Sequence, residues 1–279
     1  MTNKILIPVD GSANSDIAVE YGIYIARKLN STLSALHVMD VNLLQGPMLT
    51  DISGAAVMPP SEGFLDAVEA SLNEKADLIL KSFREHCRWK GLRVETKKVV
   101  GRISETISEE ARDADLIVMA KKGEHFHLKA GGFLGSVAES VIRHAAKPVI
   151  VTPENFLEIE SMAIAYDGSP SAQKALDFSL NLSKLAAWPI TAVIITEDMD
   201  KASKLTRQIE NAAEKEETDC EVIILPGKEG TEILKFIGEG AVELMVMGAY
   251  GHNRLRELLL GSTTSQVIQK SPVPVLLMR

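Results

Sequence analysis

Residues 4–29 read KILIPVDGSANSDIAVEYGIYIARKL, and residues 161–186 read SMAIAYDGSPSAQKALDFSLNLSKLA. Each is a short aliphatic run that ends in Asp-Gly-Ser and passes into helical spacing. In the first stretch Ala18, Tyr21, Ile25 and Leu29 fall on one helical stripe. In the second, Ser169-Pro170 is a helix start, with serine as cap and proline at the first helical position. The chain therefore repeats itself. Later landmarks agree, because GSVAESVIRHAAKPVIVTP at 135–153 matches GSTTSQVIQKSPVPVLLMR at 261–279. Asp10 and Asp167 lie 157 residues apart, whereas Gly135 and Gly261, and Pro148 and Pro274, lie 126 apart. The second copy is thus 31 residues shorter between these landmarks.

The extra length is expected at NLLQGPMLTDISGAAVMPPSEGF, residues 42–64 of the first copy. Its Gly, Pro and Met content without clean periodicity predicts a long loop, roughly Asn42 to Glu62, that is mobile or lies over a site mouth. In the second copy AVIITED leads almost directly into a helix near Asp200. Five strands are predicted per copy: Lys4–Val9, Thr32–Val38, Arg93–Val99, Leu116–Ala120 and Val149–Thr152, then Met162–Tyr166, Ile190–Thr196, Glu221–Leu225, Leu244–Met247 and Val275–Met278. Aliphatic strands alternating with helices imply parallel sheets covered on both faces, with right-handed crossovers. The expected fold is two tandem doubly wound α/β domains, 1–155 and 156–279, each with a five-stranded parallel sheet. The closing segments PVIVTP and PVPVLLMR are aliphatic edge strands whose pairing would bury two exposed edges, giving an internal dimer of approximate two-fold symmetry.

Composition fits this reading. The chain has 279 residues, 46% hydrophobic and 24% charged, enough apolar material for two cores. Aromatics make up 5%, so those cores must be aliphatic. A net charge of -8 argues against a nucleic-acid surface or binding to an anionic membrane, but not against a local anion site made of backbone N–H groups. No stretch approaches the roughly 18 uncharged apolar residues of a membrane helix, and MTNKILIPVDGS has no signal-peptide core. Cys87 and Cys220 are expected as two reduced thiols, so a cytoplasmic location is expected.

In such sheets ligands bind beyond the carboxyl ends of the strands, near a topological switch point. Asp10 and Asp167 close the first strand of each copy. Each is either a helix cap or a carboxylate that accepts from the amine or hydroxyl of a nucleotide. Gly11 and Gly168 relax the turn that follows. After the fourth strand the second copy reads MGAYGHNRLRELLLGSTTSQV, in which Gly248, Gly251, Gly261 and Ser262 make G-x2-G-x9-G-S. The last Gly-Ser opens a helix whose free N–H groups can hold phosphate, at up to about 2 kcal/mol for the helix dipole in a partly buried setting. Ser262, Thr263 and Thr264 add hydroxyls, and Arg254 and Arg256 could place charge nearby.

The Asp-Gly-Ser turn, the strands DLIVMA and ELMVMG, the G-x2-G-x9-G-S loop and the closing PVPVLL are similar to the universal stress protein family, over both repeats and nearly the whole chain. The resemblance implies the adenine-nucleotide alpha hydrolase-like fold type and, as in a subset of that family, ATP binding. It assigns adenine or ribose contacts to Asp167 and Gly248, and phosphate contacts to Gly251, Gly261, Ser262 and Thr263. It places the backbone of Ala192–Val193 beside the base. The expected ligand is thus ATP, with or without Mg2+, held mainly by the second domain through Asp167, Gly168, Ala192, Val193, Gly248, Gly251, Arg254, Gly261, Ser262 and Thr263.

The first copy departs from this pattern as MAKKGEHFHLKAGGFLGSVAES. Ala120 stands where the first glycine is expected, and eleven residues rather than nine separate Gly123 from Gly135. Asp10, Gly123, Gly135 and Ser136 form a second, altered site in a loop made basic by Lys121, Lys122, Lys129, His125 and His127. His125-Phe-His127 lacks the third and fourth ligands of a zinc site, so no metal site is expected. There is no Walker lysine, no G-x-G-x-x-G after the first strand and no G-x-S-x-G elbow. A stress-response nucleotide binder acting as a switch for an unidentified protein partner is expected, with little or no turnover. The alternatives are an interaction scaffold with both sites vacant and a slow ATPase. A further homodimer of the tandem chain is left open.

Overall fold

The structure, a computed structural model, describes residues 2–44, 62–124, 134–240, 242–249 and 260–279. The first half runs β1 (Lys4–Pro8), α1 (Ala13–Leu29), β2 (Thr32–Asp40), α2 (Val41–Leu44), α3 (Glu62–Trp89), β3 (Val94–Gly101), α4 (Ile103–Glu110), β4 (Leu116–Ala120), α5 (Ser136–His144) and β5 (Val149–Thr152). The second half runs β6 (Met162–Ala165), α6 (Pro170–Ala186), β7 (Ile190–Ile195), α7 (Met199–Glu216), β8 (Cys220–Leu225), α8 (Glu229–Gly238), β9 (Leu244–Gly248), α9 (Ser262–Lys270) and β10 (Val275–Met278). All ten expected strands are present, with ends shifted by a residue or two.

The strands form one sheet in the order β3-β2-β1-β4-β5-β10-β9-β6-β7-β8. Every neighbouring pair is parallel except the central one. There β5 and β10 run antiparallel, with Val149 opposite Leu277, Ile150 opposite Leu276 and Val151 opposite Val275. The two expected edges therefore pair with each other, and the order reads the same from either end of the sheet. Within each half the chain moves outward from the first strand, then returns to its other side. This makes a switch point between β1 and β4, and another between β6 and β9. The antiparallel seam sends the carboxyl ends of the two sets of strands to opposite edges of the sheet.

Both faces are covered, as aliphatic parallel strands require. One core packs Ile5, Ile7, Ile164 and Ile194 against α1, α3, α6 and α7. The other packs Leu6, Ile117, Ala163 and Met245 against α4, α5, α8 and α9. Each core contains residues of both halves, so the hydrophobic interior is continuous across the seam. The segment between β5 and β6 is fastened to α1. Leu157 N–H donates to Tyr21 Oη at 3.1 Å, and Tyr24 O–H donates to the Ile159 carbonyl at 2.7 Å. Phe156 lies edge-on to Tyr21 and Tyr24, and Tyr24 stacks on Trp188 of the second half.

The extra length of the first half is not all loop. Helix α3 has 28 residues where its counterpart α7 has 18, and Val41–Leu44 form a short helical turn. Residues 45–61 of the expected loop, and with them its expected mobility or position over a site, lie outside the described residues.

Candidate nucleotide site

Strand β6 delivers Asp167 to the sheet edge, and the turn after it is shaped by Gly168. Its φ of +79° is a left-handed value that glycine adopts without strain. Asp167 Oδ1 accepts from Ser169 N–H at 2.8 Å, and Ser169 Oγ accepts from Ala172 N–H at 3.2 Å. Serine is therefore the cap of α6, and the aspartate orders the turn ahead of it. The first half repeats this geometry: Asp10 Oδ1 accepts from Ser12 N–H at 2.9 Å, and Ser12 Oγ from Ser15 N–H at 3.2 Å. The capping alternative for the two aspartates is thereby replaced by a role in the turn.

At the β6–β9 switch point lies a cleft of about 180 Å³. It brings together Asp167, Gly248, Gly261, Ser262 and Thr263 of the expected set. Ala165, Ile195, Ile233 and Met247 make its apolar wall. Tyr166 borders it, with its O–H donating to Gln173 Oε1 at 2.6 Å. Burial, with the charges of Asp167 and Asp177 adding, pushes the Tyr166 pKa up to about 12 and keeps the phenol protonated. At the same cleft α9 begins, with Gly261 as its N-cap and no side-chain cap. Its first N–H groups lack helical acceptors, and the positive end of its dipole points at the cleft. Thr264 O–H donates to the Gly248 carbonyl at 3.3 Å, tying this helix start to the end of β9.

The two glycines of this edge differ in their surroundings. A Cβ at Gly248 would come within 2.6 Å of Ser171 Oγ and 2.9 Å of Ala172 N, so the start of α6 occupies that space. Among the described residues, a Cβ at Gly261 would meet nothing closer than Thr264 Oγ1 at 3.5 Å, an ordinary contact distance. Ala192 and Val193 are fully buried inside β7, where the Val193 carbonyl accepts from Tyr166 N–H at 2.9 Å; it is Ile195, at the end of that strand, that reaches the cleft. Gly168 supports the turn without lining the cleft. Gly251, Arg254 and Arg256 lie outside the described residues.

One charged lining side chain escaped the sequence reading. Glu229 stands at the start of α8 and accepts from Thr263 O–H at 3.1 Å. The signal for it was positional: residues just past the third strand of each copy belong to the same carboxyl edge.

The corresponding edge of the first half is turned in on itself. Asp10 Oδ2 accepts from Glu124 N–H at 2.7 Å, and a Cβ at Gly123 would lie 2.8 Å from that oxygen. The Glu124 carboxylate pairs with Lys75 of α3. Gly135 N–H donates to the Lys121 carbonyl at 2.9 Å. The aspartate and the helix-start N–H offered to a ligand are both engaged by the chain's own loop, and Ser136 is exposed beside them. His125, His127 and Lys129 lie outside the described residues, among which no group of three or more His, Cys, Asp or Glu side chains gathers as a metal site.

The family model described as "Universal stress protein family" matches residues 1–153 and 158–279. A universal stress protein of Synechocystis sp. is 33% identical over 286 aligned residues, covering 99% of each chain. A universal stress protein of Methanocaldococcus jannaschii is 33% identical over 150 residues, which cover 53% of this chain and 80% of the relative. Among solved structures, a universal stress protein from Archaeoglobus fulgidus superposes with a TM-score of 0.78 at 24% identity, covering 100% of this chain and 99% of the other. That likeness concerns the fold.

Proposed function

The chain belongs to the universal stress protein family, and on that footing we propose that it is an adenine-nucleotide-binding regulatory protein whose second half holds ATP. The observation that carries this is the cleft at the β6–β9 switch point, lined both by apolar side chains and by the start of α9, which has no side-chain cap. The apolar wall suits a base. Asp167 suits the hydroxyls or amine of a nucleoside. The N–H groups of α9, with the Ser262 and Thr263 hydroxyls, suit phosphate oxygens. Binding through backbone donors explains how a chain of net charge -8 could hold a polyanion without a Walker lysine. Gly251 and Arg254 would complete the phosphate loop.

The first half, with Ala120 in place of the first glycine and eleven rather than nine residues between Gly123 and Gly135, is read as altered and as making the lesser contribution to binding. Occupancy of the cleft would bias the loop that leads into α9, and through it the binding of a protein partner. The division into units of 1–155 and 156–279 follows the same reading, as does a cytoplasmic location. No helix of the described residues is long and apolar enough to cross a membrane.

The test is calorimetric titration of the full chain with ATP, alongside mass spectrometry of ligand released from freshly purified protein. Saturable binding of one ATP per chain, weakened in Asp167→Ala and little changed in Asp10→Ala, is expected. Absence of binding, with no nucleotide released, would leave the interaction scaffold as the reading. Multiple turnover of ATP with a divalent metal would make the protein a slow ATPase.

A further inference from the structure

Among the described residues the most exposed large apolar side chain is Trp89, 91% exposed at the end of α3. Arg88, Lys90 and Arg93 flank it and are exposed as well. Lys90 pairs with Glu20 at 3.0 Å, while Arg88 and Arg93 have no ion-pair partner among the described residues. The second half is built the same way here and charged the opposite way. Leu92 N–H donates to the Cys87 carbonyl where α3 ends, and Thr218 N–H donates to the Ala213 carbonyl where α7 ends. Gly91 and Glu217 both take a left-handed φ, +70° and +52°. Equivalent residues are thus 126 positions apart, as for Gly135 and Gly261. On that alignment Glu214, Glu216 and Asp219 stand where the first half has Arg88, Lys90 and Arg93.

Local stability accounts for only one of these ends. Cations at the end of α3 are favoured by its dipole, whereas carboxylates at the end of α7 oppose the dipole of theirs. Nor do the two ends neutralise each other within one chain. Strands β3 and β8 are the outermost of the ten, and the antiparallel seam puts their amino ends on opposite edges of the sheet. Nine inter-strand steps of about 4.8 Å separate these strands by roughly 43 Å. Both helices pack on the same face of the sheet. Two chains that meet about a two-fold axis can therefore make the contact twice, each α3 end on the other's α7 end, which closes the pair.

We propose that the chain associates with a second copy of itself, the Trp89 end of α3 in one chain docking on the acidic end of α7 in the other. Trp89 is the anchor, a large side chain that becomes buried in the contact. The opposed charges around it set the orientation and make the association sensitive to salt. A nucleic acid or an anionic membrane would use the basic end alone and leave the charge reversal between the halves without a role.

The test is light scattering of the full chain over a range of protein concentration, in about 0.05 M and about 0.5 M NaCl, between which the screening length falls about threefold. Two double variants accompany it: Arg88→Glu with Arg93→Glu, and Glu214→Arg with Asp219→Arg. All four positions are exposed, so each variant keeps its fold. Wild type is expected to form a dimer in low salt that dissociates in high salt. Each variant alone should dimerise at least about tenfold more weakly, because like charges then face each other. Mixed one to one, the two variants should recover the wild-type mass, since each offers the charge the other needs. Trp89→Ala should also weaken the dimer. Wild type that stays monomeric in low salt overturns the proposal, as do variants that dimerise unimpaired or a mixture that does not recover. A monomeric wild type that binds RNA or anionic vesicles through Trp89 overturns it too, and gives the basic end to that partner.

Discussion

Gly261 separates a packing requirement from a ligand requirement. Among the described residues, the nearest atoms to a Cβ there are Thr264 Oγ1 at 3.5 Å and the Ala249 carbonyl at 3.9 Å, ordinary contact distances. Gly261→Val should therefore fold with nearly native stability and lose ATP binding, because its methyls project toward the proposed phosphate position. Gly135→Val is the control in the first half. Its Cβ meets the Lys121 carbonyl at 3.3 Å, a tight contact that costs some stability without touching the second cleft. Titration of both variants decides the matter: equal losses, or loss only in Gly135→Val, would move the site to the first half or spread it over both. Cys87 makes a different residue-scale prediction. Burial pushes its thiol from 9.0 up to about 12, with the Glu20 charge adding. The folded chain keeps that proton at pH values where the unfolded chain loses it, so stability should be level below about pH 9 and fall between about pH 9 and 12. Thermal melts at pH 8 and pH 10.5 should show a larger drop for wild type than for Cys87→Ala, and equal drops would remove the thiol as the cause.

At the scale of elements, the segment joining β5 to β6 acts as a clamp. Phe156 sits 4.8 Å from the Tyr21 ring and 5.9 Å from the Tyr24 ring, and Tyr24 carries the stack on to Trp188 of the second half. Phe156→Ala should cost about 2 kcal/mol, less than truncation of a fully buried phenylalanine because this ring is only half-buried. Denaturant unfolding would measure it, and a loss under about 0.5 kcal/mol, the range of ordinary surface changes, would show that the clamp is incidental. This contact was invisible in the sequence, since PENFLEIE carries no periodicity and its partners lie about 135 residues away. The strands were readable because a buried parallel strand has to be a continuous aliphatic run, as LIVMA and LMVMG are. Of the loop expected from Asn42 to Glu62, the start is a helical turn (Val41–Leu44), α3 begins at Glu62, and residues 45–61 lie outside the described residues. Asp167, Gly261 and Ser262 were readable because strand-end acid and helix-start Gly-Ser are local patterns. Glu229 and the engagement of Asp10 by Glu124 depend on which segments the crossovers bring to one edge, and no local pattern encodes that.

For the whole molecule, the seam decides what a half can be. Strands β5 and β10 bury Ile150 and Leu276 in cores shared by both halves. Without its partner, each half would expose an unpaired apolar edge strand, a template for aggregation. Across the molecule the seam also carries cations to helix ends. Lys121, after β4, donates to the Gln269 carbonyl at the end of α9, and Arg279, after β10, donates to the Arg143 carbonyl at the end of α5. Each half thus places a positive charge on the negative end of the other's loop helix, an arrangement typically worth about 0.3–1 kcal/mol at each end. The two halves should accordingly behave as one cooperative unit, not as beads on a linker. Small-angle scattering should give a single compact particle, and heat should unfold the chain in one transition. If residues 1–155 and 156–279 are produced as separate chains in the same cells, they should copurify as a one-to-one complex. Each alone should aggregate or pair with itself through its exposed edge. Adding Leu276→Asp to the second piece should abolish the complex, because a buried, unpaired carboxylate cannot be accommodated opposite Ile150. Two soluble, monomeric pieces that ignore each other would mean that the seam is a contact of convenience and that each half is a complete domain.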